Sequence, residues 1–273
     1  AGLRQLPPAA ARRIASAPRF PMASLRALDT VFCISFPNGF SGPASSAAIR
    51  APVNFTPTLK IASLDIETSY SENVLYSIAV AGQGFQAVFM IGDDIAGQPE
   101  YLEFLVDERA LIRRFLSWFA DVDPDVIIGW SVVAFDLQFL EQRCQALNID
   151  FRLGRGGETV RWRTNQQRQD RNYALVPGRV VLDGIEMLRT ATWSFESFAL
   201  DFVARELLGR GKLVDNVESR ASEIQDMFRE DKLKLAAYNL EDCQLVVEIF
   251  ESFQISLLPQ HAPQPISLLQ SSS

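Results

Sequence analysis

The stretch LKIASLDIE at residues 59–67 is an apolar run that ends in two acids, Asp65 and Glu67. It predicts a β-strand, and two further apolar runs, VLYSIAVA at 74–81 and QAVFMI at 86–91, follow after polar turns. This spacing predicts a meander of three antiparallel strands. Because successive side chains of a strand point to opposite faces, Asp65 and Glu67 are expected to point the same way.

Helices and strands alternate after the meander. Asp107 is a candidate N-cap for the first helix, and Gly209 is a candidate C-cap for a later one. Strands followed by strand–helix alternation predict an α/β domain with a mixed sheet. The predicted elements are, in order, a helix at 107–120, a strand at 123–130, a helix at 135–147, a strand at 178–188, and helices at 194–209 and 231–255.

The ends of the chain differ in composition from its middle. Residues 1–28 contain five arginines and no acid, but their prolines favour the edge of a fragment over a targeting peptide. A short strand is predicted at 29–36, and the Gly-, Pro-, Ser- and Ala-rich stretch 37–57 is typical of a connection. Residues 259–273 predict a linker or a ragged C-terminal end. These features, and a first residue that is not Met, favour a piece of a larger protein.

Composition narrows the chemistry that the chain can perform. The 26 Lys and Arg against 33 Asp and Glu give a net charge of −7, and no apolar run approaches the ~18 residues of a membrane span. Three cysteines, Cys33, Cys144 and Cys243, form no CxxC pair, which argues against a disulfide framework or a zinc knuckle. With His261 as the only histidine, any metal must be held by carboxylates, the ligands typical of Mg²⁺ or Mn²⁺.

Three groups of acids stand out, although each has an ordinary explanation when taken alone. Asp65 and Glu67 would be a solvated strand end, and Asp136 would be an N-cap at the junction of a strand and a helix. Tyr238 and Asp242 lie four apart in a helical stretch and share one face, as many surface pairs do. Their combined order, D-x-E, then F-D, then Y-x-x-x-D, resembles that of DEDD-type exonucleases on a ribonuclease H-like sheet.

The resemblance extends to family B DNA polymerases, and within them to the bacterial members. SLDIET, DPDVIIGWSVVAFD and YNLEDC are similar to the three exonuclease motifs, and FRLGRGGE, GRVVLDGIEMLRTATWSFESFAL and ELLGRGKLVDN are similar to segments between them. The resemblance implies a ribonuclease H-like α/β fold with a mixed central β-sheet flanked by helices. Residues 59–258 would form a 3′–5′ exonuclease domain, and 1–58 a remnant of the polymerase N-terminal domain with its connection. No polymerase palm motif is present, so this chain is not expected to extend a primer.

The resemblance also implies roles for the acids. Asp65 would bridge two divalent metal ions, Mg²⁺ or Mn²⁺, while Glu67 and Asp242 complete the tighter site. Asp136 would serve the second ion. Tyr238 would orient the attacking water, since an unperturbed phenol, with a pKa of about 10, is a poor general base.

Three further residues are implied to contact the terminal nucleotide: Thr68, Ser131 and Phe135. The family usually has Asn where this chain has Ser131, which puts the handling of the primer terminus at that point in question. Ala237 stands where the histidine subclass has its histidine, so the resemblance assigns the chain to the tyrosine type. Asp183, at the end of a predicted strand, is expected to be structural.

The expected substrate is a single-stranded DNA 3′ end or a frayed primer terminus, cleaved by two-metal hydrolysis as in proofreading. Expected partners are the remaining polymerase domains and, as a further candidate, a sliding clamp, but no membrane. The expected location is the bacterial cytoplasm, in association with the nucleoid. A stand-alone ribonuclease acting on RNA 3′ ends, and a single-strand-binding or structural domain whose exonuclease has decayed, are the alternatives.

The charge balance indicates that DNA is held mainly by other domains, because phosphate contacts require basic residues. A net charge of −7 predicts weak and strongly salt-sensitive binding by this chain alone. A local basic run is equally compatible with a face toward the DNA strand and with a solvated loop. It comprises Arg152, Arg155, Arg161, Arg163, Arg168 and Arg171.

Overall fold

The computed structural model describes residues 58–69, 73–164, 172–211 and 220–257. The strands within these ranges are β1 (Ile61–Thr68), β2 (Leu75–Gly82), β3 (Phe85–Ile91), β4 (Leu102–Leu105), β5 (Val126–Gly129), β6 (Arg161–Thr164), β7 (Asn172–Leu175) and β8 (Val180–Asp183). The helices are α1 (Glu108–Val122), α2 (Asp136–Ala146), α3 (Gly184–Thr190), α4 (Leu200–Leu208), α5 (Arg220–Glu230) and α6 (Lys232–Leu257).

A six-stranded mixed sheet organises the domain, in the order β4-β3-β2-β1-β5-β8. The predicted meander is confirmed, because β1 pairs antiparallel with β2 and β2 pairs antiparallel with β3. The other three pairings, β3 with β4, β1 with β5 and β5 with β8, are parallel. As a result, β1 lies in the interior of the sheet. A separate two-stranded antiparallel sheet is formed by β6 and β7.

Helices cover both faces of the sheet, and the alternation of side chains along β1 decides what faces each layer. Ala62, Leu64 and Ile66 are buried in the apolar cluster that also contains residues of α1 and α2. Ala79 of β2, which pairs with Asp65, is buried in a second cluster built with α5 and α6. Asp65 and its neighbours at odd positions therefore face α6. The mixed sheet flanked by helices matches the predicted fold class.

Both predicted helix caps are present. Asp107 accepts a hydrogen bond from the backbone N–H of Ala110 at 2.7 Å and begins α1. Gly209 ends α4 in the left-handed region, with a φ of 72° that a glycine adopts without steric cost. Helix α6 also agrees with the helix predicted at 231–255.

Two predicted boundaries are wrong. The segment 178–188 is not one strand, because β8 ends at Asp183 and α3 begins at Gly184. The Asp183 carboxylate accepts hydrogen bonds from the N–H groups of Ile185 and Glu186, so it is an N-cap, which agrees with the structural role expected for it. The helix predicted at 194–209 begins only at Leu200. The preceding stretch forms a loop in which the rings of Trp193 and Phe195 stack, and aromatic packing there replaces helix formation.

Besides α3, four further elements were not predicted: β4, β6, β7 and α5. Conversely, several predictions lie outside the described residues, namely the strand at 29–36, the connection at 37–57, the tail at 259–273, Cys33 and His261. Within the described residues, Cys144 and Cys243 are buried and free. No helix in the described part of the chain is long and apolar enough to cross a membrane.

Candidate active site

The two acids of the first motif lie on the face of β1 that meets α6. The register of β1 against β2 shifts between Glu67 and Thr68, which is a β-bulge immediately after the second acid. Bulges re-aim side chains and are frequent next to active sites. The end of β1 therefore turns away from regular pairing directly after presenting Asp65 and Glu67 toward the helix.

Helix α6 brings the third acid to the same place. Oxygen atoms of Asp65, Glu67 and Asp242 all lie within 4.8 Å of one another. Glu67 and Asp242 are only 7% and 3% exposed, so water does little to screen their charges. Three carboxylates at this separation repel one another unless a cation lies among them. The structure thus brings the strand pair of the first motif and the helical acid of the third motif together.

Asp136 lies beside this group but not in it. Its Oδ1 accepts a hydrogen bond from the backbone N–H of Ile66, the residue between the two strand acids, at 3.1 Å. The N-cap interpretation is wrong, because Asp136 is the first residue of α2 and Phe135 occupies the cap without a side-chain hydrogen bond. Burial raises the pKa of Asp136 to about 7, and the charges of Asp183 and Asp242 add to this effect.

Sequence reasoning did not single out Asn239, which the structure places in direct contact with the acids. Its Nδ2 donates to Asp65 Oδ2 at 2.7 Å, and its Oδ1 accepts from the hydroxyl of Ser77 at 3.1 Å. Asn239 and Ser77 are both fully buried. The available signal was a polar residue three positions before Asp242 on a helix, where it shares that acid's face.

Tyr238 and Thr68 occupy different surroundings. Tyr238 is 2% exposed and packs in the apolar cluster between α6 and the sheet. Thr68 is half-buried at the last position of β1, just beyond the bulge. Their implied contacts with water and with nucleotide stay predictions.

The loop between β5 and α2 carries Ser131 and Phe135, the two residues of the second motif that are implied to contact the terminal nucleotide. Phe135 is 48% exposed, which is unusual for a phenylalanine and leaves its ring accessible above α2. The loop is held from both sides: Trp130 Nε1 donates to the carbonyl of Phe198 at 2.8 Å, and Asp183 accepts from the N–H of Val133 at 3.3 Å. Phe135 is therefore presented to solvent by an anchored backbone.

Ser131 adopts the left-handed region, with a φ of 66°. Non-glycine residues are uncommon there, and Asn is enriched because its short amide tolerates the conformation. The backbone thus supplies a physical reason why Asn suits this position, independent of any contact with a nucleotide.

Replacing Ser131 by Asn is expected to stabilise the protein by up to about 1 kcal/mol, because residues in disfavoured backbone regions cost of order 1–3 kcal/mol. The measurement is the free energy of unfolding in urea. Ser131→Ala is the control, since alanine gains nothing in the left-handed region. Equal stabilities for the Asn and Ala variants would show that backbone conformation is not the cause.

The predicted basic run is partly neutralised by neighbouring acids. Arg155 pairs with Asp123 and Asp125, at 2.9 and 2.7 Å. Two further arginines of the run form ion pairs, Arg152 with Asp150 and Arg161 with Glu158. Arg163 is exposed, and Arg168 and Arg171 lie outside the described residues. This pattern leaves little unpaired positive charge in the described part of the run.

The donor set of the acidic group fits a hard divalent cation. Among the described residues, the group that could hold a metal consists only of carboxylates, and no imidazole or thiolate belongs to it. Carboxylate oxygens suit Mg²⁺ or Mn²⁺ and not soft metals. A cation bound here would offset the mutual repulsion of these carboxylates, two of which, Glu67 and Asp242, are buried.

A mixed sheet flanked by helices, with carboxylates gathered between its interior strand and a long helix, defines the ribonuclease H-like class of exonuclease domains. Residues 29–203 match the family described as DNA polymerase family B, exonuclease domain. The chain belongs to this family.

Individual relatives agree with this membership. The chain is 40% identical over 218 residues to DNA polymerase II of Escherichia coli, covering 79% of this chain and 28% of that protein. It is 28% identical over 211 residues to a DNA polymerase of Thermococcus kodakarensis, covering 74% of this chain and 12% of the relative. The chain therefore spans less than a third of the length of these two relatives.

A solved structure supports the fold. The family B DNA polymerase from Pyrobaculum calidifontis superposes with a TM-score of 0.56 at 20% sequence identity. The superposition covers 73% of this chain and 25% of that polymerase chain.

Proposed function

We propose that this chain removes mononucleotides from DNA 3′ ends by metal-dependent hydrolysis, as the proofreading exonuclease of a polymerase. The observation that carries the proposal is the convergence of Asp65, Glu67 and Asp242 within 4.8 Å between β1 and α6. Membership of the polymerase exonuclease family favours DNA over RNA as the substrate. The proposed exonuclease domain spans residues 59–258.

The four acids would divide the binding of two divalent ions, Mg²⁺ or Mn²⁺. Asp65, on β1, would contact both, Glu67 and Asp242 would complete one site, and Asp136 would serve the other. When bound, such ions lower the pKa of the attacking water and offset the charge that develops on the leaving oxygen. The protein contributes fixed carboxylates, held by a strand, a helix and the hydrogen bond from Ile66 to Asp136.

Residues around the acids would position the DNA end and the water. Tyr238 would orient the water through its hydroxyl without acting as a general base. Thr68, Ser131 and Phe135 would contact the terminal nucleotide, with the exposed ring of Phe135 available for stacking on a base.

The remaining domains of the parent polymerase would hold most of the DNA, because this chain has a net charge of −7. A sliding clamp is a further proposed partner, and the bacterial cytoplasm, at the nucleoid, is the proposed location.

The test is digestion of a 5′-labelled single-stranded DNA with Mg²⁺, with Mn²⁺, and with a chelator. A ladder that shortens from the 3′ end only when metal is present supports the proposal. A matched oligoribonucleotide separates a deoxyribonuclease from a ribonuclease, since the two substrates differ only at the 2′ position. Metal-independent binding without cleavage would instead support a decayed binding domain.

Phe135→Ala is expected to weaken single-stranded DNA affinity by about 5- to 150-fold, the equivalent of losing one stacked base at roughly 1–3 kcal/mol. Because the ring is 48% exposed, the free energy of unfolding should change little. Fluorescence anisotropy with labelled DNA in the presence of Ca²⁺, a non-Mg²⁺ ion chosen to limit cleavage, measures the affinity. Val106→Ala removes apolar surface at a residue that is 84% exposed and serves as the control. Unchanged DNA affinity in Phe135→Ala would exclude the contact.

A further inference from the structure

Ser77, Asn239 and Asp65 form a buried polar chain that crosses from β2 through α6 to β1. The Ser77 hydroxyl donates to Asn239 Oδ1 at 3.1 Å, and Asn239 Nδ2 donates to Asp65 Oδ2 at 2.7 Å. Both donors belong to fully buried residues. These hydrogen bonds join three elements whose packing forms the acidic group, since α6 contacts both β1 and β2 extensively.

The direction of each hydrogen bond follows from chemistry. An ionised carboxylate only accepts, so the amide of Asn239 must turn its NH₂ group toward Asp65. The amide oxygen then faces Ser77, whose hydroxyl must donate. Rotating the amide by half a turn would bring its oxygen against the carboxylate and its NH₂ against the hydroxyl, and the contact with Asp65 would become repulsive. The Asp65 carboxylate therefore selects the orientation of the amide, and Ser77, whose hydroxyl can donate or accept, anchors the position of Asn239 from the opposite side.

We infer that Asn239 is a positioning residue, anchored by Ser77, that sets the rotation of the Asp65 carboxylate for metal binding. The terminal torsion of an aspartate is broad and two-fold, so packing alone restrains it weakly. The hydrogen bond from the Asn239 amide fixes the position of Asp65 Oδ2. It thereby sets which lone pairs of the Asp65 carboxylate face a cation bound between Asp65, Glu67 and Asp242. This inference rests on the proposed function, because it concerns the same metal site.

A buried asparagine that merely satisfies its own polar atoms would leave metal affinity unchanged when an apolar residue of similar size replaces it. Replacing a positioning asparagine would instead weaken metal binding, because partners that orient metal ligands typically contribute about 10- to 100-fold to metal affinity or activity. The two roles therefore differ in a measurement that does not depend on cleavage of DNA.

The experiment is calorimetric titration of the full chain with Mn²⁺ in the absence of DNA, comparing wild type, Asn239→Leu and Ser77→Ala. Asn239→Leu is expected to bind Mn²⁺ about 10- to 100-fold more weakly. Ser77→Ala retains the amide donor but loses its anchor, and it is expected to lie between wild type and Asn239→Leu. On DNA, kcat should fall in the same order while KM for DNA stays unchanged.

Gln244→Leu is the control, because Gln244 also forms an amide hydrogen bond from α6 to the sheet, to Gln86 at 3.2 Å, at an exposed position and without belonging to the acidic group. It should bind Mn²⁺ as wild type does. Wild-type affinity in Asn239→Leu would overturn the inference. If Asn239→Leu does not fold, wild-type affinity in Ser77→Ala would overturn it.

The same titration separates this inference from the proposed function. If wild type binds Mn²⁺ and digests DNA while Asn239→Leu matches it in both, only the positioning role fails. If wild type neither binds Mn²⁺ nor digests DNA, the proposed function itself fails, and the inference falls with it.

Discussion

Replacing Asp65 and Glu67 together by alanine is expected to lower the rate of 3′ digestion by at least about 10³-fold, because metal charge stabilisation supplies several kcal/mol to such a transition state. The double substitution leaves Asp242 as the only member of the group of three within 4.8 Å. Of the four proposed ligands only Asp136 would remain beside it, and the carboxylate proposed to contact both ions would be lost. Initial rates on 5′-labelled single-stranded DNA measure the effect.

The control for this loss is the double variant Glu100→Ala/Asp121→Ala. Both residues are exposed and lie outside the acidic group, so the change in net charge is the same while the site is untouched. Its digestion rate should equal that of wild type. Thermal unfolding in chelator shows whether both variants remain folded. A site variant that is folded and still digests DNA at the wild-type rate would contradict the assignment of these acids.

Asp136 is expected to make the stability of the metal-free protein fall as the pH rises. Its pKa is about 7 in the folded protein against an ordinary value of 3.8, so the folded state retains a proton that the unfolded state has lost. The contribution of the protonated Asp136 carboxyl to the free energy of unfolding is therefore fully present below about pH 4, and it is lost progressively as the pH rises toward 7. A difference of roughly three pH units corresponds to at most about 4 kcal/mol.

Asp136→Asn removes this titration and keeps an oxygen that can accept from the N–H of Ile66. We expect urea unfolding in chelator to show a clearly smaller decline in stability between pH 5 and pH 8 for this variant than for wild type. Added Mn²⁺ should oppose the wild-type decline, because metal binding favours the ionised carboxylate. Asp94→Asn, at an exposed site, is the control. Parallel pH profiles for wild type and Asp136→Asn would contradict the raised pKa.

The parts of the structure that the sequence predicted are those that depend on local periodicity. The period of two places Asp65 and Glu67 on one face of β1, and helical spacing places Tyr238 and Asp242 on one face of α6. The meander, the cap at Asp107 and the glycine at the end of α4 follow from equally local signals. Each depends on residues only a few positions apart.

The predictions that failed depend on contacts made from a distance. The strands β4, β6 and β7 were not predicted, and backbone pairing with strands that are their neighbours in space stabilises them. The segment at 178–188 continues an apolar run, yet the capping of α3 by Asp183 ends the strand. Asp136 looks like an ordinary cap until Ile66, 70 positions away, is seen to donate to it.

By itself, the sequence determined which side chains share a face, which acids are available and which family the chain resembles. Only the tertiary structure decided that Asp65, Glu67 and Asp242 meet within 4.8 Å and that Asp136 lies buried beside them. It also decided that Asn239 reaches Asp65 across 174 positions of the chain. The physical reason is that hydrogen-bonding geometry along a strand or helix repeats every few residues. The approach of β1 to α6 depends instead on the packing of the whole apolar core between them.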